Sequence, residues 1–231
     1  MAVLYLLFAL SVPAQKPVDG FQARTYKTMP YRIFVPGGYD KTRQYPLVLW
    51  LHGAGSVGND NFKQISEASL RGTHTWTTAQ VQAKYPAFVL APQSRNGSWT
   101  TELPLVLELL DSIKNEFSID TTRIYIAGQS MGGYGTWDFI TTMPNLFAAA
   151  IPLCGGGDPA RANLIARIPI WAFHGEADPT VPVTESRNMI EAIKKAGGSP
   201  RYTEYRGVGH EVWLKAFQEK GLVDWLFAQH K

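Results

Sequence analysis

Ser130 sits in Gly128-Gln129-Ser130-Met131-Gly132, a Gly-x-Ser-x-Gly pentad entered from the apolar run Ile124-Tyr-Ile-Ala and followed by a helical pattern. A serine on such a strand-to-helix turn is pushed out of a sheet. The helix N-terminus beyond it offers backbone N–H groups to a developing oxyanion. Gly128 and Gly132 carry no Cβ and leave room for the turn. The pentad alone is a weak signal, and the strand and helix around it supply its weight. A serine hydroxyl is a poor nucleophile until a neighbouring base accepts its proton, and imidazole titrates near neutral pH. Two later segments supply the partners. Ile168-Pro-Ile-Trp-Ala-Phe-His174-Gly-Glu-Ala-Asp178 places a carboxylate just past an apolar run, and Gly207-Val-Gly-His210 places a histidine in a glycine-flanked loop. Ser130, Asp178 and His210 follow one of the chain orders in which a serine triad occurs, with the carboxylate fixing the ring tautomer.

Glu176 and Asp158 compete with Asp178 for the acid role. Glu176 falls inside the turn after Gly175, and Asp158 lies in an earlier glycine-rich loop. His174 reads as a structural hydrogen-bonding residue. A second small-residue loop, His52-Gly53-Ala54-Gly55, follows the apolar strand pattern Leu47–Leu51. The backbone N–H groups of Met131 and Ala54 are the expected oxyanion donors, with Gly53 as the near alternative and His52 as a loop-shaping residue. Gln129, Trp99 and Trp213 are the candidate substrate-binding residues. Trp76, Trp99 and Trp213 fall in or beside predicted loops, where they could stack on sugar or cinnamoyl rings or pack the loops together.

These side chains must be held by a scaffold of alternating elements. Strand patterns cover 31–35, 47–51, 87–91, 124–127, 148–153, 168–173 and 201–205, several of them continuous apolar runs suited to strands covered on both faces. Helix patterns cover 103–117, 131–143 up to Pro144, 184–196 with Gly197 as cap, and 212–230. The alternation predicts an α/β fold, a mostly parallel doubly wound sheet with helices on both faces. In such sheets reactive groups gather outside the carboxyl ends of the strands. Only 154–167 separates the strand before the acid strand from the acid strand itself, which leaves no room for a cap domain.

Length and composition fit that scaffold. A chain of 231 residues with 45% hydrophobic content suits one sizeable core. We expect an apolar N-terminal arm or residual signal peptide over 1–20 and a single catalytic domain over 21–231. The 22 basic and 19 acidic residues leave a formal charge of +3 without clustering, so no nucleic-acid partner is expected. The single cysteine, Cys154, excludes an intramolecular disulfide and any multi-cysteine metal site. It reads as a small buried side chain. No metal and no cofactor is implied. Met1–Ala14 resembles the apolar part of an export signal, although no Lys or Arg precedes it, and it is too short for a stable membrane anchor. A secreted or periplasmic location is the expectation, with a cytoplasmic one as the alternative.

The chain resembles the serine esterases of the α/β-hydrolase superfamily. The likeness is to the branch of feruloyl and acetylxylan esterases, polyhydroxybutyrate depolymerase-like proteins and predicted peptidases or phospholipases. It is carried by Tyr31-Arg-Ile-Phe-Val-Pro, Tyr45-Pro-Leu-Val-Leu-Trp-Leu-His-Gly-Ala-Gly, Asp120-Thr-Thr-Arg-Ile-Tyr-Ile-Ala-Gly-Gln-Ser-Met-Gly-Gly-Tyr-Gly-Thr-Trp, His174-Gly-Glu-Ala-Asp and Gly207-Val-Gly-His. It implies cleavage of short-chain acyl or carbohydrate-linked acetyl and feruloyl esters through an acyl-enzyme, with a small-molecule or polysaccharide-linked ester as partner. Glu211 follows His210 where many members have an uncharged residue, and could raise the histidine's pKa or point to solvent. Two other readings stay open: a serine peptidase of the prolyl-oligopeptidase type, and a catalytically silent binding protein on the same fold.

Overall fold

The computed structural model describes residues 20–231; the apolar arm expected over 1–20 lies almost wholly outside them. Among the described residues eight strands form one sheet. They are β1 (Phe21–Tyr26), β2 (Met29–Phe34), β3 (Tyr45–Leu51), β4 (Phe88–Pro92), β5 (Ile119–Gln129), β6 (Ala149–Leu153), β7 (Trp171–Gly175) and β8 (Arg201–Tyr205). Their spatial order is β1-β2-β4-β3-β5-β6-β7-β8. β1 and β2 pair antiparallel, as do β2 and β4, and every other pairing is parallel. Seven α-helices accompany them: α1 (Leu70–His74), α2 (Ala79–Lys84), α3 (Trp99–Glu116), α4 (Met131–Thr142), α5 (Thr184–Lys195), α6 (Trp213–Ala216) and α7 (Leu222–Phe227). The doubly wound sheet expected from the alternation is present.

The central strand shows why its sequence is apolar throughout. Successive side chains of a strand point to opposite faces. Leu47, Leu49 and Leu51 therefore join a core with Val106, Leu110, Phe139 and Ile193 on one side, while Val48 and Trp50 join Trp76, Phe217 and Leu226 on the other. Leu49 pairs with Leu90 of β4 and with Ile126 of β5. From β3 the chain moves to β4 on one side and then to β5 on the other. The carboxyl ends of β3 and β5 therefore flank the point where strand order reverses, the place where this architecture opens a crevice.

Several elements differ from the sequence expectation. The helical pattern at 212–230 is two short helices, because Gly221 adopts φ +82°, a left-handed conformation that ends one segment before α7 begins. The helix expected from 103 starts at Trp99, where the Ser98 hydroxyl accepts the Thr101 N–H as a cap. β1, α1 and α2 are additions. Between β6 and β7 stands only the 3₁₀ turn Pro159–Leu164, in keeping with the expected lack of a cap domain.

Candidate active site

β5 delivers Ser130 to the crevice and α4 carries the chain away. The turn is tight enough that a Cβ on Gly132 would sit 1.9 Å from the Leu51 carbonyl oxygen, and one on Gly128 would sit 2.3 Å from the Gly132 oxygen. No side chain fits at either place. Ser130 itself takes φ +54° and ψ −117°, a conformation costly for any residue with a Cβ. Its N–H donates to the Leu153 carbonyl at 2.9 Å, and its own carbonyl accepts the Tyr134 N–H at 3.0 Å. The strained turn is therefore held by the neighbouring strand and by the first turn of α4.

The three residues singled out by spacing converge. Ser130 Oγ lies 2.8 Å from His210 Nε2, and His210 Nδ1 lies 2.8 Å from Asp178 Oδ2. With Nδ1–H donating to the carboxylate, Nε2 is left to accept the serine proton. Burial pushes the Asp178 carboxyl upward, but hydrogen bonds from His210 and from the Val181 and Thr180 N–H groups outweigh it and hold its pKa below the ordinary carboxylate value. Asp178 is thus an anion at neutral pH. The edge of Trp213 meets the His210 ring with centroids 5.5 Å apart and planes at 86°.

The competing groups are spent elsewhere. Glu176 accepts the Gly207 N–H at 3.1 Å, Asp158 caps the 3₁₀ turn through the Ala160 N–H, and Glu211 is exposed. His174 is fully buried, and burial lowers its pKa, so the ring is neutral. Its Nε2 lies 3.1 Å from the Val181 carbonyl oxygen and its Nδ1 lies 2.8 Å from the Ser186 hydroxyl, which itself donates to the Gly155 carbonyl at 2.8 Å. It fixes the loop that bears Asp178. Ser186 was not singled out from sequence, since nothing but its place in the first turn of a helix marks it.

On the other side of the crevice, Ala54 and Met131 each begin a helical turn, where the backbone N–H has no partner within its own helix. Ala54 is exposed and Met131 half-buried. His52 lies beneath this loop and is fully buried. Its Nδ1–H donates to the Gly53 carbonyl at 2.7 Å and its Nε2 accepts the Ser94 N–H at 2.9 Å. Burial pushes its pKa down to about 4, so His52 shapes the loop as a neutral ring.

The expected substrate-binding side chains are placed less openly. Trp99 is 2% exposed, and its indole N–H donates to the His52 carbonyl at 3.0 Å, so its ring braces the loop and leaves little of itself exposed. Trp213 is 5% exposed and packs on His210, and Trp76 is fully buried against Phe217 and Phe227. The rings near the strand ends are structural because their large apolar area is worth more in the core than on the rim. Gln129 is also buried, packed against Gly53 with its Oε1 unpaired.

Cys154 is buried at the end of β6. Among the described residues, one group of potential metal ligands lies close together: Cys154, Asp178 and His210, with ligand atoms within 4.8 Å of one another. Burial raises the thiol's pKa and keeps it protonated, while the other two bond to each other. That set suits a proton relay better than a cation.

A mostly parallel sheet with a strand–serine–helix turn at its switch point, and with aspartate and histidine on later loops, defines the α/β-hydrolase class. Within it the chain belongs to the Esterase family, whose model matches residues 23–197. It is 26% identical over 172 residues to "Probable feruloyl esterase C" of Aspergillus terreus, covering 73% of this chain and 62% of that protein. It is 32% identical over 153 residues to a bifunctional acetylxylan esterase/xylanase, XynS20E, of Neocallimastix patriciarum, covering 63% of this chain and 21% of that protein. The chain thus spans less than two thirds of both relatives. Among solved structures, a thermostable esterase superimposes with a TM-score of 0.88 at 42% identity over 92% of this chain and 64% of that one. Est1E from Butyrivibrio proteoclasticus shares the fold at a TM-score of 0.67 and 13% identity.

Proposed function

We propose that the protein hydrolyses carboxylic esters in two steps through an acyl-enzyme on Ser130. The observation that carries this reading is the unbroken relay from Ser130 Oγ to His210 Nε2 and from Nδ1 to Asp178, each contact 2.8 Å, beside the Ala54 and Met131 N–H groups that head two helical turns. His210 accepts the Ser130 proton as Oγ attacks the carbonyl carbon, and the imidazolium that forms is stabilised by the Asp178 anion. The Met131 and Ala54 N–H groups receive the charge that develops on the carbonyl oxygen. His210 then returns the proton to the leaving alcohol. Water enters, gives its proton to the same nitrogen, and releases the acid.

The substrates that fit this reading are short acyl esters and acetyl or feruloyl groups carried on carbohydrate. Two observations support that choice: the short 154–167 connection leaves the crevice uncovered, and named relatives are feruloyl and acetylxylan esterases. Export belongs to the same reading. It rests on the apolar Met1–Ala14 and on an uncharacterized secreted protein of Arthroderma benhamiae, 25% identical over 237 residues.

The test is a panel of p-nitrophenyl esters of rising chain length, with methyl ferulate, acetylated xylan and a Pro-p-nitroanilide, run on wild type and Ser130→Ala. Turnover should favour short acyl esters and fall by about 10⁴-fold or more in the folded variant. Residual activity near wild type in Ser130→Ala removes the nucleophile assignment. A preference for the anilide makes the protein a peptidase, and one for long fatty acyl chains contradicts an uncovered crevice.

A further inference from the structure

The face of α4 that starts at the nucleophile continues past it. Met131, Tyr134, Asp138 and Thr141 recur at helical spacing, so they share one side of the helix over roughly 15 Å. Two clefts lie along this side. The first, of about 340 Å³, is lined by Ser98, Thr100, Met131 and Tyr134. The second, of about 170 Å³, is lined by Tyr134, Trp137, Asp138, Gly157 and Arg161. Thr100 and Tyr134 border both, which makes the two clefts one track leading away from Ser130.

The chemistry of the second cleft is unusual for a bare surface groove. Asp138 Oδ2 is buried and has no hydrogen-bond partner, and neither has the indole N–H of the fully buried Trp137. Leaving such groups unpaired costs roughly 1–3 kcal/mol each, so folded proteins seldom keep them without a partner. Arg161, half-buried on the opposite wall, makes one long contact of 3.4 Å to the Thr141 carbonyl and otherwise brings further donors. Tyr134 is 39% exposed, the most exposed aromatic residue on the track. A Cβ on Gly157 would lie 2.9 Å from Trp137 Cβ, so glycine there lets the floor of the cleft close on that ring.

We propose that this second cleft is a sugar-ring subsite, separate from the reacting groups, that holds the carbohydrate part of an ester substrate. The Asp138 carboxylate accepts from a ring hydroxyl, Arg161 donates to sugar oxygens, and Tyr134 presents its face to the apolar side of a pyranose. A pyranose matches the set because each hydroxyl both donates and accepts while the C–H face is apolar. A phosphate would meet the carboxylates of Asp138 and Asp158, a cation would meet Arg161, and an acyl chain would leave Asp138 and Arg161 unmatched. The assignment rests on the ester-hydrolase reading above for its catalytic consequence, but not for its binding consequence.

The experiment uses both. Xylohexaose is titrated calorimetrically into Ser130→Ala, and into the same background carrying Asp138→Asn, Tyr134→Ala or Arg161→Ala. In parallel, kcat/KM on acetylated xylohexaose is divided by kcat/KM on p-nitrophenyl acetate for each variant on the Ser130 background. Binding should be measurable and weaken about tenfold in each variant, and the ratio should fall by a similar factor. Tyr134 and Arg161 are partly exposed, so their variants decide the matter should Asp138→Asn fail to fold. Absence of xylohexaose binding while p-nitrophenyl acetate is turned over overturns the subsite and leaves the esterase reading intact. Binding that depends on Asp138 in a protein that hydrolyses no ester supports the subsite and removes the esterase reading. Equal binding in all variants overturns the subsite.

Discussion

The indole N–H of Trp99 lies 3.0 Å from the carbonyl oxygen of His52 and donates to it. This one bond ties the start of α3 to the loop that carries Ala54. The two rings also meet edge to face, with centroids 4.9 Å apart. Trp99 was expected to face substrate; in the fold it braces from behind the loop that carries Ala54, the proposed second oxyanion donor.

Trp99→Phe keeps an aromatic ring but removes the donor, so the buried His52 carbonyl loses a partner and a small cavity opens. We expect a stability loss of about 2 kcal/mol. We also expect roughly a tenfold fall in kcat with little change in KM, because a misplaced Ala54 N–H weakens the transition state and not ground-state binding. Urea melts and p-nitrophenyl acetate kinetics measure both. A stability loss with wild-type kcat would show that the bond serves packing alone.

A second prediction concerns acid. Burial lowers His52 from 6.5 to about 4, and a base whose folded pKa is depressed binds fewer protons folded than unfolded. Its stabilising share is complete above pH 6.5 and is lost as pH falls toward 4, roughly 3 kcal/mol in all. His174 is shifted the same way, also by burial. Asp178, whose pKa is lowered from 3.8, adds a further loss only below that value. Denaturant midpoints between pH 7 and pH 4 should therefore drop steadily, and His52→Asn should flatten much of the slope. A wild-type midpoint constant over that range would contradict a neutral, buried His52.

Much of the candidate site was legible because two of its residues close apolar runs, Ile124–Ala127 before Ser130 and Ile168–Phe173 before Asp178, and the third, His210, directly follows the glycine-punctuated Gly207-Val-Gly209. What escaped had weaker local signatures. β1 is an edge strand whose Gln22 and Arg24 are only partly covered and whose Thr25 is exposed, so it shows no continuous apolar run. The break between α6 and α7 hangs on the left-handed Gly221, and an isolated glycine inside a helical pattern can as easily be tolerated as act as a stop. The tryptophans illustrate a third kind of blindness. Proximity to a strand end places Trp76, Trp99 and Trp213 near the crevice, but whether a ring faces it or the core depends on neighbours such as Phe217 and His52 that lie far away in sequence.

The last prediction separates strain from chemistry at Ser130, the proposed nucleophile. Ser130 stands at φ +54° and ψ −117°, where a Cβ costs of order 1–3 kcal/mol. Ser130→Ala removes the hydroxyl but keeps that cost, whereas Ser130→Gly removes both. Glycine gives back part of the gain, about 0.5–1 kcal/mol, through the entropy of its unfolded chain. Both variants should lack turnover, yet Ser130→Gly should be the more stable of the two by about 1 kcal/mol, read as a higher urea midpoint with an unchanged m-value. The comparison holds the lost hydrogen bond to His210 constant, so the difference reports the backbone alone. A lower midpoint for Ser130→Gly, by the roughly 0.5–1 kcal/mol of glycine's chain entropy, would mean that the turn is relaxed and that the strand–helix junction costs the fold nothing.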